Sequence, residues 1–148
     1  ERNDLGKVSK IGTVKVPELF VIEPYANVSH LVSTVTGELK DSLDCIDLIK
    51  AIFPGGSITG APKIRSMEII DELEPTQRNV YTGSIGYIGF NGDMDLNIAI
   101  RTLIKKDEDI YFQVGGGITW DSNPEDEYQE TLDKAKSIMK ALRGYYEE

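Results

Sequence analysis

The sequence is poor in several features that would assign it to common classes of protein. It has one cysteine among 148 residues, Cys45, so no disulfide can form within the chain, as expected in a reducing compartment. Positive charge is scarce, because 16 lysines and arginines face 25 acidic residues, and the net charge of -9 argues against a nucleic-acid partner. There is no bilayer-length apolar run and no basic-plus-apolar leader, so we expect a cytoplasmic protein without a membrane partner.

The residues that are present fit one soluble globular domain. Hydrophobic residues make up 40% of the chain and charged residues 28%, and the length suffices to bury a core. The chain does not begin with methionine, and residues 1–6 are typical of the polar end of a helix that stops at Gly6. We therefore expect residues 1–148 to be a piece of a longer chain.

The first half of the chain predicts two strands followed by two helices. Residues 12–39 are rich in β-branched side chains and contain a turn at 23–25, which indicates a pair of strands. Residues 41–44 can cap a helix over residues 45–52, and a second helix is predicted over residues 61–73. The predicted buried face of this second helix consists of Ile64, Met67, Ile70 and Leu73.

The second half predicts three β segments and a final helix. Segments 80–90 and 94–104 flank a hairpin turn at residues 91–93, and a third segment covers residues 109–114. The final helix is predicted over residues 124–142, and its predicted inward face consists of Tyr128, Leu132, Ala135, Ile138 and Leu142. The order ββααβββα, with antiparallel neighbours and no repeated βαβ crossover, predicts an α+β fold with helices packed on a mostly antiparallel sheet.

The most informative stretch joins a triple glycine at residues 115–117 to an acidic helix start. Glycines let the backbone approach a ligand closely and direct N–H groups at an anion. Glu127 and Glu130 are three residues apart and Lys134 lies four further on, so a helix places all three on one face. Mg²⁺ suits such a face, because it takes oxygen ligands and usually needs only one or two carboxylates. The alternative is a solvated, ion-paired stripe beside an ordinary turn.

A second glycine-rich stretch, residues 53–65, precedes the second predicted helix of the first half. Its three glycines and two hydroxyl side chains lie where N–H groups and the helix dipole favour an anion. It lacks the Gly-Lys-Ser/Thr ending of a P-loop and the parallel βαβ context of a dinucleotide fingerprint. The alternative is a helix-to-helix turn capped by Ser57 or Thr59.

Three single residues are further candidates for chemistry. His30 is the only histidine and lies in an apolar strand pattern, either as a core residue or as a proton carrier. Arg101 follows a strand made for burial, so it belongs to a structural ion pair or fixes a substrate carboxylate. Tyr81 either packs or adds a hydroxyl donor.

Taken together, these segments resemble the C-terminal part of the chorismate-utilising enzymes, a family that includes anthranilate, aminodeoxychorismate, isochorismate and salicylate synthases. The matching blocks span nearly the whole chain. In order, they are Arg-Asn-Asp-Leu-Gly at 2–6, Val-Ser-His-Leu-Val-Ser-Thr-Val-Thr-Gly at 28–37, residues 53–67, Tyr-Thr-Gly-Ser-Ile-Gly-Tyr at 81–87, Ile-Ala-Ile-Arg-Thr at 98–102, Gln-Val-Gly-Gly-Gly at 113–117, and Glu-x-x-Glu-x-x-x-Lys at 127–134.

Within the family the sequence is most similar to aminodeoxychorismate synthase component I. The Phe-Pro-Gly-Gly-Ser-Ile-Thr-Gly-Ala-Pro-Lys form at 53–63 differs from the Gly-Thr-x-Ser-Gly-Ala-Pro-Lys form usual in anthranilate synthases. Residues 67–75 and 95–101 also resemble the former branch. Anthranilate synthase component I is the close alternative, and a non-catalytic binding module that keeps the fold is a second one. An isochorismate-type enzyme that uses water fits these segments less well.

The resemblance implies a role for each candidate residue. His30, Ser57 and Lys134 would belong to the catalytic set, and Glu127 and Glu130 would hold Mg²⁺, which binds the ring carboxylate and helps the C4 hydroxyl leave as an amine enters at C2. The residues that would bind chorismate, chiefly its enolpyruvyl carboxylate, are Tyr81, Arg101, Gly115, Gly116 and Gly117.

The resemblance also implies what surrounds this chain. The parent enzyme would make 4-amino-4-deoxychorismate, a precursor of p-aminobenzoate and folate, with ammonia from a glutamine amidotransferase subunit. The family's upstream Pro-Ile-Lys-Gly-Thr segment, a further metal carboxylate and the segment linked to tryptophan binding are absent from the sequence. We therefore expect residues 1–148 to be the C-terminal fragment of a chorismate-binding catalytic domain, inactive alone and prone to self-association.

Overall fold

A computed structural model describes residues 1–24 and 29–146, and the chain divides into two compact units, Glu1–Leu73 and Glu74–Glu148. Helices and two-stranded antiparallel sheets occur in the described residues, which confirms the predicted α+β class. No helix in this part of the chain is both long and apolar enough to cross a lipid bilayer.

The first unit contains four helices and one β-hairpin among its described residues. In chain order they are α1 (Arg2–Val8), β1 (Lys15–Pro24), β2 (Ser29–Thr36), α2 (Cys45–Ile52), α3 (Gly56–Thr59) and α4 (Lys63–Leu73). The predicted strand pair is confirmed: β1 and β2 are antiparallel, with Ile22 opposite Leu31 and Glu23 opposite His30. The predicted turn at 23–25 falls partly on residues 25–28, which lie outside the described residues.

The sequence predicted that the first helix stops at Gly6, but helix α1 continues to Val8. Asp4 and Val8 are both buried, and the backbone N–H and hydroxyl of Ser9 both donate to the carbonyl of Leu5, at 3.0 and 2.8 Å. Burial and this end-capping contact outweigh the cost of about 1 kcal/mol that glycine imposes inside a helix. The glycine was therefore a wrong stop signal.

Helix α2 has the predicted bounds, because residues 41–44 do supply its cap. The carboxylate of Asp44 accepts from the N–H groups of Ile46 and Asp47, and Asp47 accepts from the N–H of Asp44 at 3.2 Å. These reciprocal bonds form a capping box. The helix ends at Ile52, before the Pro-Gly-Gly sequence at residues 54–56, as predicted.

Helix α4 begins at Lys63, two residues later than predicted, and its predicted buried face is wrong within this unit. Ile64 is 69% exposed, Leu73 is 75% exposed and Met67 is 38% exposed, whereas Ile70 is half-buried. The apolar residues do recur at helical spacing, but no other element among the described residues of this unit buries Ile64, Met67 or Leu73. The short helix α3, within the second glycine-rich stretch, was not predicted.

The second unit contains shorter strands than predicted. They are β3 (Gly86–Ile88), β4 (Met94–Leu96), β5 (Ile104–Lys106) and β6 (Asp109–Tyr111), followed by α5 (Pro124–Tyr146). β3 pairs with β4 through the predicted turn at 91–93, where Gly92 has φ 90°. The predicted segment 94–104 is divided between two hairpins, because β5 pairs with β6 instead.

The irregular stretch between the two hairpins still makes backbone contacts. The N–H of Ala99 donates to the carbonyl of Gly83 and the N–H of Thr82 donates to the carbonyl of Ala99, each at 2.9 Å. Ala99 is fully buried, while Thr82 and Arg101 have positive φ values of 63° and 50°, which interrupt a regular ladder. The segments that carry Tyr81 and Arg101 are thereby placed side by side.

Helix α5 extends four residues beyond its predicted end at Leu142. Ile138 on its predicted inward face is buried, but Tyr128 is 66% exposed and Leu132 is 42% exposed. The inward face is therefore correct for part of the helix only. As in the first unit, the described elements supply too little apolar surface to cover every apolar side chain.

Candidate functional site

The glycine run lies beside the first turns of α5. Asn123 caps this helix, since its side-chain oxygen accepts from the N–H groups of Glu125 and Asp126 at 3.0 and 3.3 Å. Three acidic residues occupy the first turn, where carboxylates interact favourably with the helix dipole. This start fixes the direction in which Glu127 and Glu130 leave the helix.

Both glutamates approach the same glycine. A β-carbon placed on Gly116 would lie 3.0 Å from Oε2 of Glu127 and 3.8 Å from Oε1 of Glu130. A side chain at residue 116 would therefore fill the space that these carboxylates face, and glycine keeps it open. The predicted common face of Glu127 and Glu130 thus lies against the predicted glycine run.

One of these carboxylate oxygens is buried without a partner. Oε2 of Glu127 has no hydrogen-bond partner in the described structure, whereas Oε1 accepts from the hydroxyl of Ser122 at 2.5 Å. An unsatisfied buried oxygen on a carboxylate is unfavourable by about 1–3 kcal/mol or more, so it favours a bound cation or donor.

Lys134 joins the helix to the glycine run. Its ammonium donates to the carbonyl of Gly115 at 3.2 Å and to Oε1 of Glu130 at 2.5 Å. Lys134 thus holds the loop against the helix. Since Glu130 is about half-exposed, this ion pair by itself adds little stability.

Tyr81 contacts the other side of the glycine run. A β-carbon on Gly115 would lie 2.8 Å from the hydroxyl oxygen of Tyr81, so glycine permits this approach. The guanidinium of Arg78 lies 5.8 Å from the centre of the Tyr81 ring and is held by Glu74 through two hydrogen bonds. Burial raises the pKa of the Tyr81 phenol above its ordinary value, although the positive charge of Arg78 opposes this. Tyr81 is therefore a protonated donor at neutral pH.

Arg101 lies at the end of the buried stretch that contains Ala99. It is half-buried and is not part of a strand, and its φ of 50° is unusual for a residue with a side chain. Such backbone strain is commonly found at functional sites. The predicted role of Arg101 as a substrate ligand stays a prediction.

The two remaining candidates belong to the first unit. His30 lies on β2 opposite Glu23 and is half-buried. Ser57 is exposed in α3, and its backbone N–H donates to Oε1 of Glu1 at 3.4 Å. Their catalytic roles stay predictions.

Sequence reasoning missed two polar residues that support the glycine run. Ser122 donates to Glu127, and the side-chain NH₂ of Gln113 donates to Thr76 and to the carbonyl of Gln77 at 3.3 and 3.4 Å. The side-chain oxygen of Gln113 is buried without a partner in the described structure. The Ser-Asn-Pro sequence before α5 could have drawn attention to Ser122, but only tertiary contacts reveal the glutamine's role.

The donor set fits a hard divalent cation. Mg²⁺ commonly binds one or two carboxylates and keeps several waters, and the chemistry of Glu127 and Glu130 matches that requirement. Among the described residues, no group of three or more histidine, cysteine, aspartate or glutamate side chains is arranged to hold a metal. Within the described residues, a cation at Glu127 and Glu130 would have these two carboxylates as its acidic ligands.

Comparisons with known proteins agree with this fold. The family model for chorismate binding enzyme matches residues 1–140. The chain therefore belongs to the chorismate binding enzyme family, which confirms the resemblance found in its sequence.

The relatives include proteins named aminodeoxychorismate synthase component 1 and proteins named anthranilate synthase component 1. The chain is 60% identical over 143 residues to aminodeoxychorismate synthase component 1 of Salmonella typhimurium, covering 97% of the chain and 32% of that relative. It is 52% identical over 141 residues to anthranilate synthase component 1 of Acinetobacter calcoaceticus, covering 95% of the chain and 28% of that relative. It spans about a third of the length of these curated relatives.

The fold is also found in a solved structure. The crystal structure of anthranilate synthase component I from Streptococcus pneumoniae TIGR4 superimposes with a TM-score of 0.84 at 49% sequence identity. The match covers 92% of this chain and 31% of that one. The short antiparallel sheets and helices described above are therefore those of a chorismate-binding fold.

Proposed function

We propose that this chain is the C-terminal, cation-binding portion of a Mg²⁺-dependent aminodeoxychorismate synthase component I. The enzyme would replace the C4 hydroxyl of chorismate with an amino group from ammonia, giving 4-amino-4-deoxychorismate and water. One observation carries the proposal: the carboxylates of Glu127 and Glu130 both face Gly116, and an oxygen of Glu127 is buried without a partner in the described structure. The 60% identity to the Salmonella typhimurium relative supports this branch of the family.

The second unit supplies distinct groups for the two carboxylates of such a substrate. Within residues 74–146, the N–H groups of glycines 115–117 donate to no protein acceptor, so they can donate to an anion. The protonated hydroxyl of Tyr81 lies beside Gly115 and can donate to the same carboxylate. Arg101 would add the planar fork that binds a carboxylate through two hydrogen bonds.

Glu127 and Glu130 would hold the cation at the other end of the substrate. When bound, Mg²⁺ would supply charge that orients the ring carboxylate and stabilises the departing oxygen. Lys134 neutralises part of the negative charge on Glu130 and also holds the glycine run. The N–H donors of the glycine run therefore keep a fixed position relative to the glutamates. This arrangement favours a small dicarboxylate substrate.

The ammonia would come from a partner subunit. Relatives of this chain are named component 1, which implies a second component. We propose a glutamine amidotransferase subunit in that role, and p-aminobenzoate and folate synthesis as the destination of the product. Isolated residues 1–148 would form no product from chorismate and ammonia, because they correspond to about a third of the length of the Salmonella typhimurium relative.

The product formed by the full-length protein tests the proposal. Chorismate, ammonia and Mg²⁺ should give an aminated product that keeps its enolpyruvyl group, without release of pyruvate. The second candidate, anthranilate synthase, is favoured by the 52% identical relative and would release pyruvate and form fluorescent anthranilate. Formation of anthranilate would contradict the proposed branch, and an unaminated isomer of chorismate would contradict amination altogether.

Cation binding provides a separate test of the site. Glu127→Gln in the full-length protein should reduce Mg²⁺ affinity by at least about 10-fold, measured by calorimetry, because a ligand charge is lost. Glu125→Gln is the matched control, since this residue lies in the same helical turn with an exposed side chain. Equal affinities in both variants and the parent would contradict the assignment of Glu127.

A further inference from the structure

The turn that precedes α5 is organised around one hydroxyl group. The N–H of Thr119 donates to Oγ of Ser122 at 3.0 Å, and the N–H of Ser122 donates to the carbonyl of Thr119 at 3.2 Å. Because Oγ already accepts from a backbone amide, its own hydrogen is available to another acceptor. That acceptor is Oε1 of Glu127 at 2.5 Å, while the hydroxyl of Thr119 is more distant at 3.4 Å.

This hydrogen bond distinguishes the two oxygens of Glu127. Oε1 is held by Ser122, and Oε2 is the oxygen that is buried without a partner and faces Gly116. A carboxylate with no such constraint can rotate about its last bond, since that torsion is broad and roughly two-fold. The hydroxyl of Ser122 therefore fixes the orientation in which Oε2 faces the glycine run.

Capping of α5 does not explain the position of Ser122. Asn123 provides the cap through its side chain, and its carbonyl accepts from the N–H of Glu127 at 3.0 Å. Removal of the Ser122 hydroxyl would leave these bonds and the Thr119 carbonyl contact in place. The hydroxyl can thus be deleted without deleting the start of the helix.

We propose that Ser122 is a positioning residue for the cation site, holding Oε1 of Glu127 so that Oε2 is directed at the ion. The inference rests on the proposed function, which assigns Glu127 as a cation ligand. Hydrogen bonds to metal-ligating carboxylates are a general feature of metal sites, and their loss typically lowers affinity by about 10- to 100-fold.

Binding of Mn²⁺, a spectroscopic substitute for Mg²⁺, tests this role in the full-length protein. Electron paramagnetic resonance of free Mn²⁺ gives the affinity without any measurement of activity. We expect Ser122→Ala to weaken Mn²⁺ binding by about 10-fold or more, and Ser122→Thr, which keeps the hydroxyl, to restore most of it. Ser137→Ala is the control, because Ser137 lies exposed on the same helix. Helix content from circular dichroism should be unchanged in all three variants.

The outcomes separate this inference from the function on which it rests. If Glu127→Gln abolishes Mn²⁺ binding but Ser122→Ala binds as tightly as the parent, Ser122 has no positioning role and the cation site stands. If Ser122→Thr binds as weakly as Ser122→Ala, the hydroxyl is not responsible and the inference is overturned. If the parent protein binds no Mn²⁺, both the inference and the proposed cation site fail.

Discussion

At the scale of single residues, glycines 115 and 116 lack side chains, and this leaves space for polar groups of neighbouring residues. A β-carbon on Gly115 would lie 2.8 Å from the hydroxyl oxygen of Tyr81, and one on Gly116 would lie 3.0 Å from Oε2 of Glu127. Gly117 has open space around it. Three consecutive glycines therefore have three different environments, and substitutions should distinguish them.

Gly115→Ala should destabilise the protein because the new methyl group would lie 2.8 Å from the Tyr81 hydroxyl oxygen. We expect a loss of about 1–3 kcal/mol in the free energy of unfolding, the usual cost of overpacking. In a Tyr81→Phe background the oxygen is gone, and much of this loss should disappear. Urea unfolding of the two single variants and the double variant measures the coupling between them.

Gly117→Ala serves as the matched control and should change stability by less than about 0.5 kcal/mol. Strictly additive effects of Gly115→Ala and Tyr81→Phe would show that the two groups do not meet.

A second residue-scale prediction concerns the buried carboxylate of Asp4. It is 4% exposed and lies 2.8 Å from the ammonium of Lys63 and 3.0 Å from that of Lys7. Burial alone would raise the pKa of Asp4, but hydrogen bonds and charge from the two lysines outweigh it and hold the pKa below its ordinary value. The folded state therefore binds this proton less tightly than the unfolded state, and stability is lost as pH falls through the lowered pKa.

We expect Asp4→Asn to lower the free energy of unfolding at pH 7 by about 3 kcal/mol, because it leaves two lysines without their shared partner. The variant should also show a flatter dependence of stability on pH below about pH 4, the range in which an ordinary aspartate titrates. Urea unfolding at several pH values measures both effects. Asp71→Asn on the exposed surface of α4 is the control, and an identical pH dependence in both variants would contradict the role of Asp4.

At the scale of elements, helix α2 shows how a local signal can fix a boundary. Its capping box uses only side chains and amides within four residues, so its geometry needs no distant part of the chain. Asp44→Ala should lower the free energy of unfolding by about 1 kcal/mol, and Asp44→Asn should retain most of it. Thermal unfolding followed by circular dichroism provides the measurement.

Asp71→Ala removes the same charge from an exposed site on helix α4 and serves as its control. If Asp44→Ala and Asp71→Ala had equal effects, net charge rather than capping would explain the loss.

At the scale of the whole molecule, the large exposed apolar side chains predict self-association of the isolated chain. The clearest patch is the β1–β2 hairpin, where Ile22 and Leu31 are cross-strand partners and are 68% and 65% exposed. Exposed strands with apolar side chains favour intermolecular pairing. We expect residues 1–148 to sediment as concentration-dependent oligomers in analytical ultracentrifugation.

Replacing both Ile22 and Leu31 with threonine should reduce this association, because threonine keeps strand propensity and removes most of the apolar surface. Ile11→Thr is the control, since Ile11 is fully exposed but lies outside the hairpin. A monomer at every concentration would contradict the prediction for the parent chain.

The sequence by itself determined the α+β class, the strand pair, the bounds of α2, the hairpin turn at 91–93 and the start of α5. Each depends on local chemistry: β-branched runs, a capping aspartate, an Asn-Gly turn and an asparagine before proline. It also determined that Glu127, Glu130 and Lys134 share a helical face, because helical spacing alone requires it.

Only the tertiary structure decided which residues meet across larger separations in sequence. The continuation of α1 through Gly6 depends on burial of Asp4 and Val8, and the division of segment 94–104 depends on backbone pairing around Ala99. Gly116 lies close to Glu127, and Ser122 donates to only one of the two carboxylate oxygens of Glu127. Both contacts likewise depend on how the loop folds. Short-range propensities determine how each segment folds. Packing between distant segments determines which groups each side chain contacts, and no periodicity in the sequence encodes those contacts.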